Sequence, residues 1–341
     1  MDHPIRNLGG KLAFWSFLTF QMGEKMHSIG IDIGGTKMAG ALVDDAGNIL
    51  SELKVPSPID DSDQMIEAIG SLISALGEGQ QVAAVGVAAA GFMSADREIM
   101  YHSPNIAAWR NEPLKKRIET KTKLPVLLEN DANAAGWAEF RFGAGAGSNS
   151  MIMLTIGTGV GGAIISDGIL LKGGFGIGGE LGHAVLNPGG KQCGCGQRGC
   201  VESYCSGTAL LKAARELASS GDAKAARLKE LMLATGELSG EQLYQAISED
   251  DSAANELISE LGQNLGTAIA SIYVPLLDPE LVVIGGGVSA VGDRLLAPIR
   301  SSFERLIPAK GYRPELKIIK AKFLNQAGLI GAADLARHSV S

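Results

Sequence analysis

The chain has 341 residues, 45% of them hydrophobic and 20% charged, with a formal net charge of −7. That length exceeds what one hydrophobic core comfortably fills, so two lobes are expected, and the absence of any long basic block argues against a nucleic-acid partner. No run reaches the roughly 18 apolar residues of a membrane span, and four cysteines gathered in one short stretch suit a reducing, cytoplasmic compartment better than a disulfide framework.

Residues 1–26 open with an apolar burst, LAFWSFLTF, behind two basic residues. A secretory leader would end in small residues before its cleavage point. Here Gln21, Met22, Gly23, Glu24 and Lys25 follow, so the segment reads as a disordered, dispensable extension, with a natural start at Met26. Ile29, Ile31 and Ile33 then alternate as a half-buried strand. Residues 38–43 resume apolar character, 44–48 make a turn and Ile49 opens a third strand, which places Gly34 and Gly35 inside a β-turn-β hairpin. Residues 62–76 carry apolar side chains at helical spacing and stop at Gly77. Residues 82–90 and 124–128 read as buried strands, the second leading through Glu129, Asn130 and Asp131 into a helix. An acid at a helix N-terminus is often only a cap.

Residues 143–150, GAGAGSNS, read as a flexible link. Residues 151–156, the turn Gly157-Thr158-Gly159 and residues 160–165 repeat the opening hairpin, with a third strand at 169–171, as expected of two related lobes. TIGTGVGG satisfies G-x-G-x-x-G literally, but a dinucleotide fingerprint needs a helix immediately afterwards. AIISDGILL is strand-like, so that reading is rejected. Residues 207–217, 240–248 and 253–270 read as helices, and 223–240 is polar. A strand at 281–284 leads to Gly285, Gly286 and Gly287, which open a helix through Leu306. After a strand at 316–321, residues 325–336 form a closing helix that returns to the first lobe.

The densest chemistry lies between residues 178 and 207. Cys193, Cys195 and Cys200 stand in a C-x-C-x4-C array with His183 upstream, and three thiolates plus one imidazole match a four-coordinate structural zinc site. Gly194, Gly196 and Gly199 let a short backbone wrap an ion. With every position filled by protein, the metal would shape the loop rather than react. Cys205 is left over as packing. Glu180 and Glu202 bracket this knuckle, and folding it would bring both acids and the exposed side of His183 to one concavity. Such a group can grip several hydroxyls, as a sugar offers, although glycosidases also use paired carboxylates.

G-E-x-G-H followed by C-x-C-G-x-x-G-C-x-E-x-x-x-S-G, running from Glu180 to Gly207, resembles the signature of the ROK family (repressors, open reading frames, kinases). Its members are mainly hexose kinases, with some sugar-responsive repressors. DIGGTK likewise resembles the first phosphate loop of the ASKHA superfamily of sugar kinases, actin and Hsp70. The resemblance implies an α/β, two-lobed actin-like ATPase (ribonuclease H-like) fold with a zinc knuckle. The small lobe would comprise residues 27–128 plus 326–341 and the large lobe 129–325, with sugar and nucleotide in the cleft between them.

By the same resemblance, Asp32 helps hold Mg2+, and Gly34, Gly35, Thr36 and Lys37 meet phosphate. Gly157, Thr158 and Gly159 form a second phosphate loop, and Gly285, Gly286 and Gly287 an adenosine loop. E-N-D-A-N is the catalytic turn, with Asp131 the base, kept ionised by the helix dipole, and Asn130 orienting the attacking hydroxyl. Asn105, Glu180, His183 and Glu202 join them in binding sugar. Where family members often show a proline, this chain has Ala90.

The implied reaction is ATP-dependent phosphorylation of a hexose 6-hydroxyl, glucose first, by a homodimer or higher homo-oligomer. N-acetylglucosamine, mannose and fructose are alternative acceptors, and polyphosphate an alternative donor. The rival from another class is a sugar-sensing repressor, but the segment ahead of Ile29 carries no basic recognition helix.

Overall fold

A computed structural model describes residues 26–340, so the expected N-terminal extension, Met26 apart, lies outside the described residues. Strands β1 (His27–Ile33), β2 (Lys37–Val43) and β3 (Ile49–Pro56) form an antiparallel meander. Helix α1 (Ser62–Gly77) is capped by the Asp61 carboxylate, which accepts from the Asp63 and Gln64 amides. It leads to β4 (Val82–Ala89), parallel to β1. A small antiparallel sheet of β5 (Phe92–Met93), β6 (Met100–His102) and β7 (Arg110–Glu112) comes next. Then α2 (Leu114–Thr122) delivers β8 (Val126–Asn130), parallel to β4, completing the order β3-β2-β1-β4-β8. Neither the small sheet nor α2 is legible in the hydrophobic pattern: the strands run only two or three residues, and α2 buries only Leu114 and Ile118.

Helix α3 (Asp131–Phe142) crosses to the second sheet, which begins with β9 (Met151–Ile156), β10 (Val160–Ser166) and β11 (Ile169–Leu170). A helical stretch follows: α4 (Glu202–Cys205), α5 (Gly207–Ser219), α6 (Ala226–Thr235), α7 (Gly240–Ser248), α8 (Ser252–Ala268) and α9 (Val274–Leu277). The chain closes the sheet with β12 (Leu281–Gly285), α10 (Asp293–Leu306) and β13 (Lys317–Lys320). Its order, β11-β10-β9-β12-β13, repeats the first sheet: three antiparallel strands, then two parallel ones. The main core lies beneath the helices of this second half, with a separate cluster between α1 and the first sheet.

The last helix, α11 (Ala327–Ser339), lies across β1 and β4 and along α3. It can approach so closely because glycine faces it. A Cβ on Gly30 would fall 1.9 Å from the Leu329 carbonyl oxygen, and one on Gly86 the same distance from that of Ala332. Strand β1 is therefore covered on both sides, not half-buried as the isoleucine alternation suggests.

Other expectations also shift. Residues 143–150 are not a flexible link: the fully buried Glu139 carboxylate accepts from Ala144 N at 2.7 Å and Phe323 N at 2.5 Å, and holds a defined turn. The helix after the glycine triplet starts at Asp293, because residues 287–291 form a 3-10 turn and Gly292 sits at φ 64°. Helix α8 runs into a π turn at Ile269–Tyr273. Among the described residues no helix is long and apolar enough to cross a membrane.

Candidate active site

Two aspartates meet where the first sheet ends. Asp32 is the penultimate residue of β1, and Asp131 is the first residue of α3. They line a cleft of about 870 Å³ together with Thr36, Lys37, Thr155 and Gly328. The cap of α3 is not Asp131 but Asn130, whose Oδ1 accepts from Ala132 N at 2.9 Å and Asn133 N at 3.2 Å. That leaves the Asp131 carboxylate facing the cleft, with one oxygen receiving Ala132 N at 2.9 Å. It also commits the Asn130 carbonyl to the helix, so only its amide nitrogen remains to meet a hydroxyl.

The helix N-terminus does not dominate the ionisation of Asp131, contrary to expectation. Burial pushes its carboxyl above the usual range, and the backbone amides of Ala132 and Asp131 only partly oppose this. Asp32 is pushed up to about 7, first by burial and then by the Asp131 charge. Desolvation wins because few charges answer these acids inside the cleft. Two carboxylates in that state are apt donors for a hard divalent cation such as Mg2+, which takes oxygen ligands.

The glycine loops occupy neighbouring ground. Asn105 packs on the first: a Cβ at Gly35 would fall 3.3 Å from its Cβ. The second is tied down at three points. Gly207 N donates to Gly157 O at 2.7 Å, the Thr208 hydroxyl to Thr158 O at 2.7 Å, and Val160 N to Glu202 Oε2 at 3.0 Å. Gly286 sits at φ 79°, and a Cβ there would fall 2.4 Å from Ile156 O, so the third glycine loop abuts the second. Neither Asn105 nor the triplet Gly285, Gly286, Gly287 lines the cleft that Asp32 and Asp131 share.

The cysteine knuckle fits a metal. Among the described residues, His183, Cys193, Cys195 and Cys200 bring one donor atom each within 4.8 Å of all the others. A tetrahedral zinc, with bonds of about 2.3 Å to sulfur and about 2.0 Å to nitrogen, has edges of about 3.8 Å between sulfurs and about 3.6 Å between nitrogen and sulfur. Cys195 and Cys200 Sγ lie 3.7 Å apart, and His183 Nδ1 lies 3.7 Å from Cys193 Sγ. Cys205 stands apart, buried with its thiol toward Leu261 O at 3.9 Å, as packing.

The residues expected as metal donors and those expected to grip hydroxyls lie side by side here. The other His183 nitrogen, Nε2, lies 4.0 Å from Glu180 Oε2. Glu202 Oε1 lies 3.5 Å from Cys193 Sγ while its second oxygen holds the Val160 amide. Burial raises the Glu180 carboxyl; His183 lowers it, and Asp131 and Glu202 raise it further. Glu180 thus lies within electrostatic reach of His183, Asp131 and Glu202, although of the four only Asp131 lines the cleft it shares with Asp32.

Two groups beside them receive no role from motif reading, although one of them, Glu129, opens E-N-D-A-N. The buried Tyr273 hydroxyl, delivered by the π turn, donates to Leu181 O at 2.7 Å, beneath the turn that carries His183. Glu129 is fully buried between Arg97 and Lys172. Its partners are 32 and 43 residues distant, too far for any local pattern to pair them.

The chain matches the profile of the ROK family over residues 28–339. It is 42% identical over 315 residues to a glucokinase of Streptomyces coelicolor, covering 91% of this chain and 97% of that one. It is 33% identical to an N-acetylmannosamine kinase of Escherichia fergusonii, covering 92% and 99%. A crystal structure of a ROK family glucokinase from Streptomyces griseus, in complex with glucose and AMPPNP, superposes with a TM-score of 0.81 at 42% identity, covering 92% of this chain and 99% of that one.

Proposed function

The chain belongs to the ROK family, and from that premise we propose that it transfers the γ-phosphoryl group of ATP to the 6-hydroxyl of glucose. It is a hexose kinase of two-lobed α/β fold. What supports the site assignment is that Glu180 lies 4.0 Å from His183 and feels the charges of Asp131 and Glu202, while Glu202 holds the second glycine turn through Val160. Phosphoryl transfer asks a protein mainly for positioning and electrostatics. Glu180, His183 and Glu202, with Asn105 and the Asn130 amide, bind the sugar hydroxyls. Asp131 takes the proton of the attacking hydroxyl, and its raised carboxyl brings the base nearer the working pH, where general bases act best. Gly34, Gly35, Thr36, Lys37 and the turn Gly157-Thr158-Gly159 meet the phosphates, and the triplet Gly285, Gly286, Gly287 admits adenosine.

When bound, Mg2+ neutralises phosphate charge, and Asp32 stands where it would be held. His183 Nδ1 and the three clustered thiols would hold a structural zinc. A cytoplasmic enzyme is the reading that suits cysteines kept reduced for a metal.

A coupled assay for ADP release over a panel of hexoses tests the reading. Glucose is expected far ahead of mannose, N-acetylglucosamine and N-acetylmannosamine. A strong preference for an N-acetyl sugar would keep the mechanism and change the acceptor, a reading favoured only by the likeness to an N-acetylmannosamine kinase. No turnover with any sugar, despite sugar binding, would make the protein a sensor.

The pH profile follows from the raised carboxyls. Asp131 works ionised, so kcat/KM is lost as pH falls through its pKa, which burial lifts above the ordinary carboxylate range. The profile is expected to go on rising above the pH at which an ordinary carboxylate is fully ionised rather than level off there. A profile that levels off at the usual carboxylate value would remove Asp131 as the base.

A further inference from the structure

We propose that Arg97, Glu129 and Lys172 form a buried positioning device that fixes the glycine-rich segment 173–179, and so holds Glu180 over the sugar. The inference rests on the sugar-kinase reading above. Glu129 is the penultimate residue of β8, two before Asp131, and none of its side chain is exposed. Its Oε1 accepts from Arg97 Nη2 at 2.8 Å, Asn130 N at 3.0 Å and Asn133 Nδ2 at 3.1 Å, and its Oε2 lies 3.1 Å from Lys172 Nζ. Arg97 comes from the turn between β5 and β6, at φ 60°, and also donates through Nη1 to Gly176 O at 2.6 Å. One carboxylate thus pins the segment at its start, through Lys172, and at its middle, through Arg97.

The segment needs such pins. Glycine occupies positions 173, 174, 176, 178 and 179, the residue type with most backbone freedom to lose. Phe175, its largest side chain, is 85% exposed and anchors nothing. Its internal bonds are few: Gly178 N to Lys172 O at 2.8 Å and Gly176 N to Gly173 O at 3.4 Å. The next residue is Glu180. Stability is a poor reason for the charges, since a buried ion pair is often no better than apolar residues of similar volume. Holding one loop in one place is a better one, because a misplacement of about 1 Å can cost about 10²-fold in rate.

Lys172 is the residue to change, because 32% of its side chain is exposed and Glu129 keeps Arg97. Lys172→Met is expected to weaken glucose binding by calorimetry, and to raise KM, by about tenfold with kcat within about threefold. Its Tm should stay within about 4 °C of the parent. Lys172→Arg is expected to restore most of the binding. In a Glu129→Gln background, which removes the charge Lys172 answers, adding Lys172→Met should cost much less than it does alone. Unchanged glucose affinity in Lys172→Met, or a loss that Lys172→Arg does not relieve, would overturn the proposal. Turnover of the parent is measured first: if it binds glucose without phosphorylating it, the kinase reading fails while the binding comparison still reports on the loop.

Discussion

Asp131→Asn is expected to lower kcat by about 10² to 10⁴ while glucose affinity stays within a few-fold. The substitution is nearly isosteric at the first position of α3, where the cap is the neighbouring Asn130. The Asn oxygen can still accept the Ala132 amide that Asp131 receives at 2.9 Å. What disappears is the capacity to take a proton. Asp32 should respond as well: its carboxyl sits near 7 partly because of the Asp131 charge, so in the variant it ionises at lower pH. Single-turnover kinetics and glucose calorimetry on the same protein separate chemistry from binding. Full turnover in Asp131→Asn would eliminate the aspartate as base and leave the sugar-binding groups without a catalyst.

Stripping the metal from the knuckle should have an effect of comparable size by a different route. Structural zinc contributes about 10–16 kcal/mol in finger peptides, more than the about 5–15 kcal/mol that holds an ordinary domain together. Here the four donors belong to a stretch with little regular structure: a three-residue 3-10 turn, Leu181–His183, and isolated bridges at Val185–Cys200 and Gln192–Arg198. Burial and the neighbouring thiols push Cys200 up to about 12, whereas at Cys195 burial is outweighed by hydrogen bonds from the Gln197 amide and the neighbouring thiols, which hold it below the usual thiol value.

Loss of an ion held there would free His183 and loosen Cys193 beside Glu202, the residue that steadies the second glycine turn through Val160. Chelation, or Cys195→Ser, is therefore expected to expose thiols to alkylation, lower Tm and abolish turnover together. Tyr273 should soften the loss only locally, through Leu181. A metal-free preparation with protected thiols and full activity would refute the structural role.

The parts legible in the sequence are those whose physics is local. A C-x-C-x4-C array with an upstream histidine declares its chemistry within eighteen residues, because ligand type and spacing suffice. The first hairpin, α1 and the second hairpin follow from periodicity over windows shorter than twenty residues. Asp131 is legible as an acid opening a helix, yet its protonation is not. Propensity and dipole arguments favour the charged form, and only the depth of the cleft shows that burial wins.

The sequence by itself thus determined the longer periodic elements, a candidate metal-ligand set and, through its motifs, the family to which the chain belongs. Tertiary structure decided how those parts meet. Residues far apart in the chain become partners only when the sheets stack: Arg97 with Glu129, Glu129 with Lys172, Glu139 with Phe323, and α11 against the glycine face of β1 and β4. Each such contact involves a residue that looks unremarkable in isolation, an ordinary charge or a glycine. Desolvation and close packing depend on everything within a few ångströms, whatever its distance along the chain.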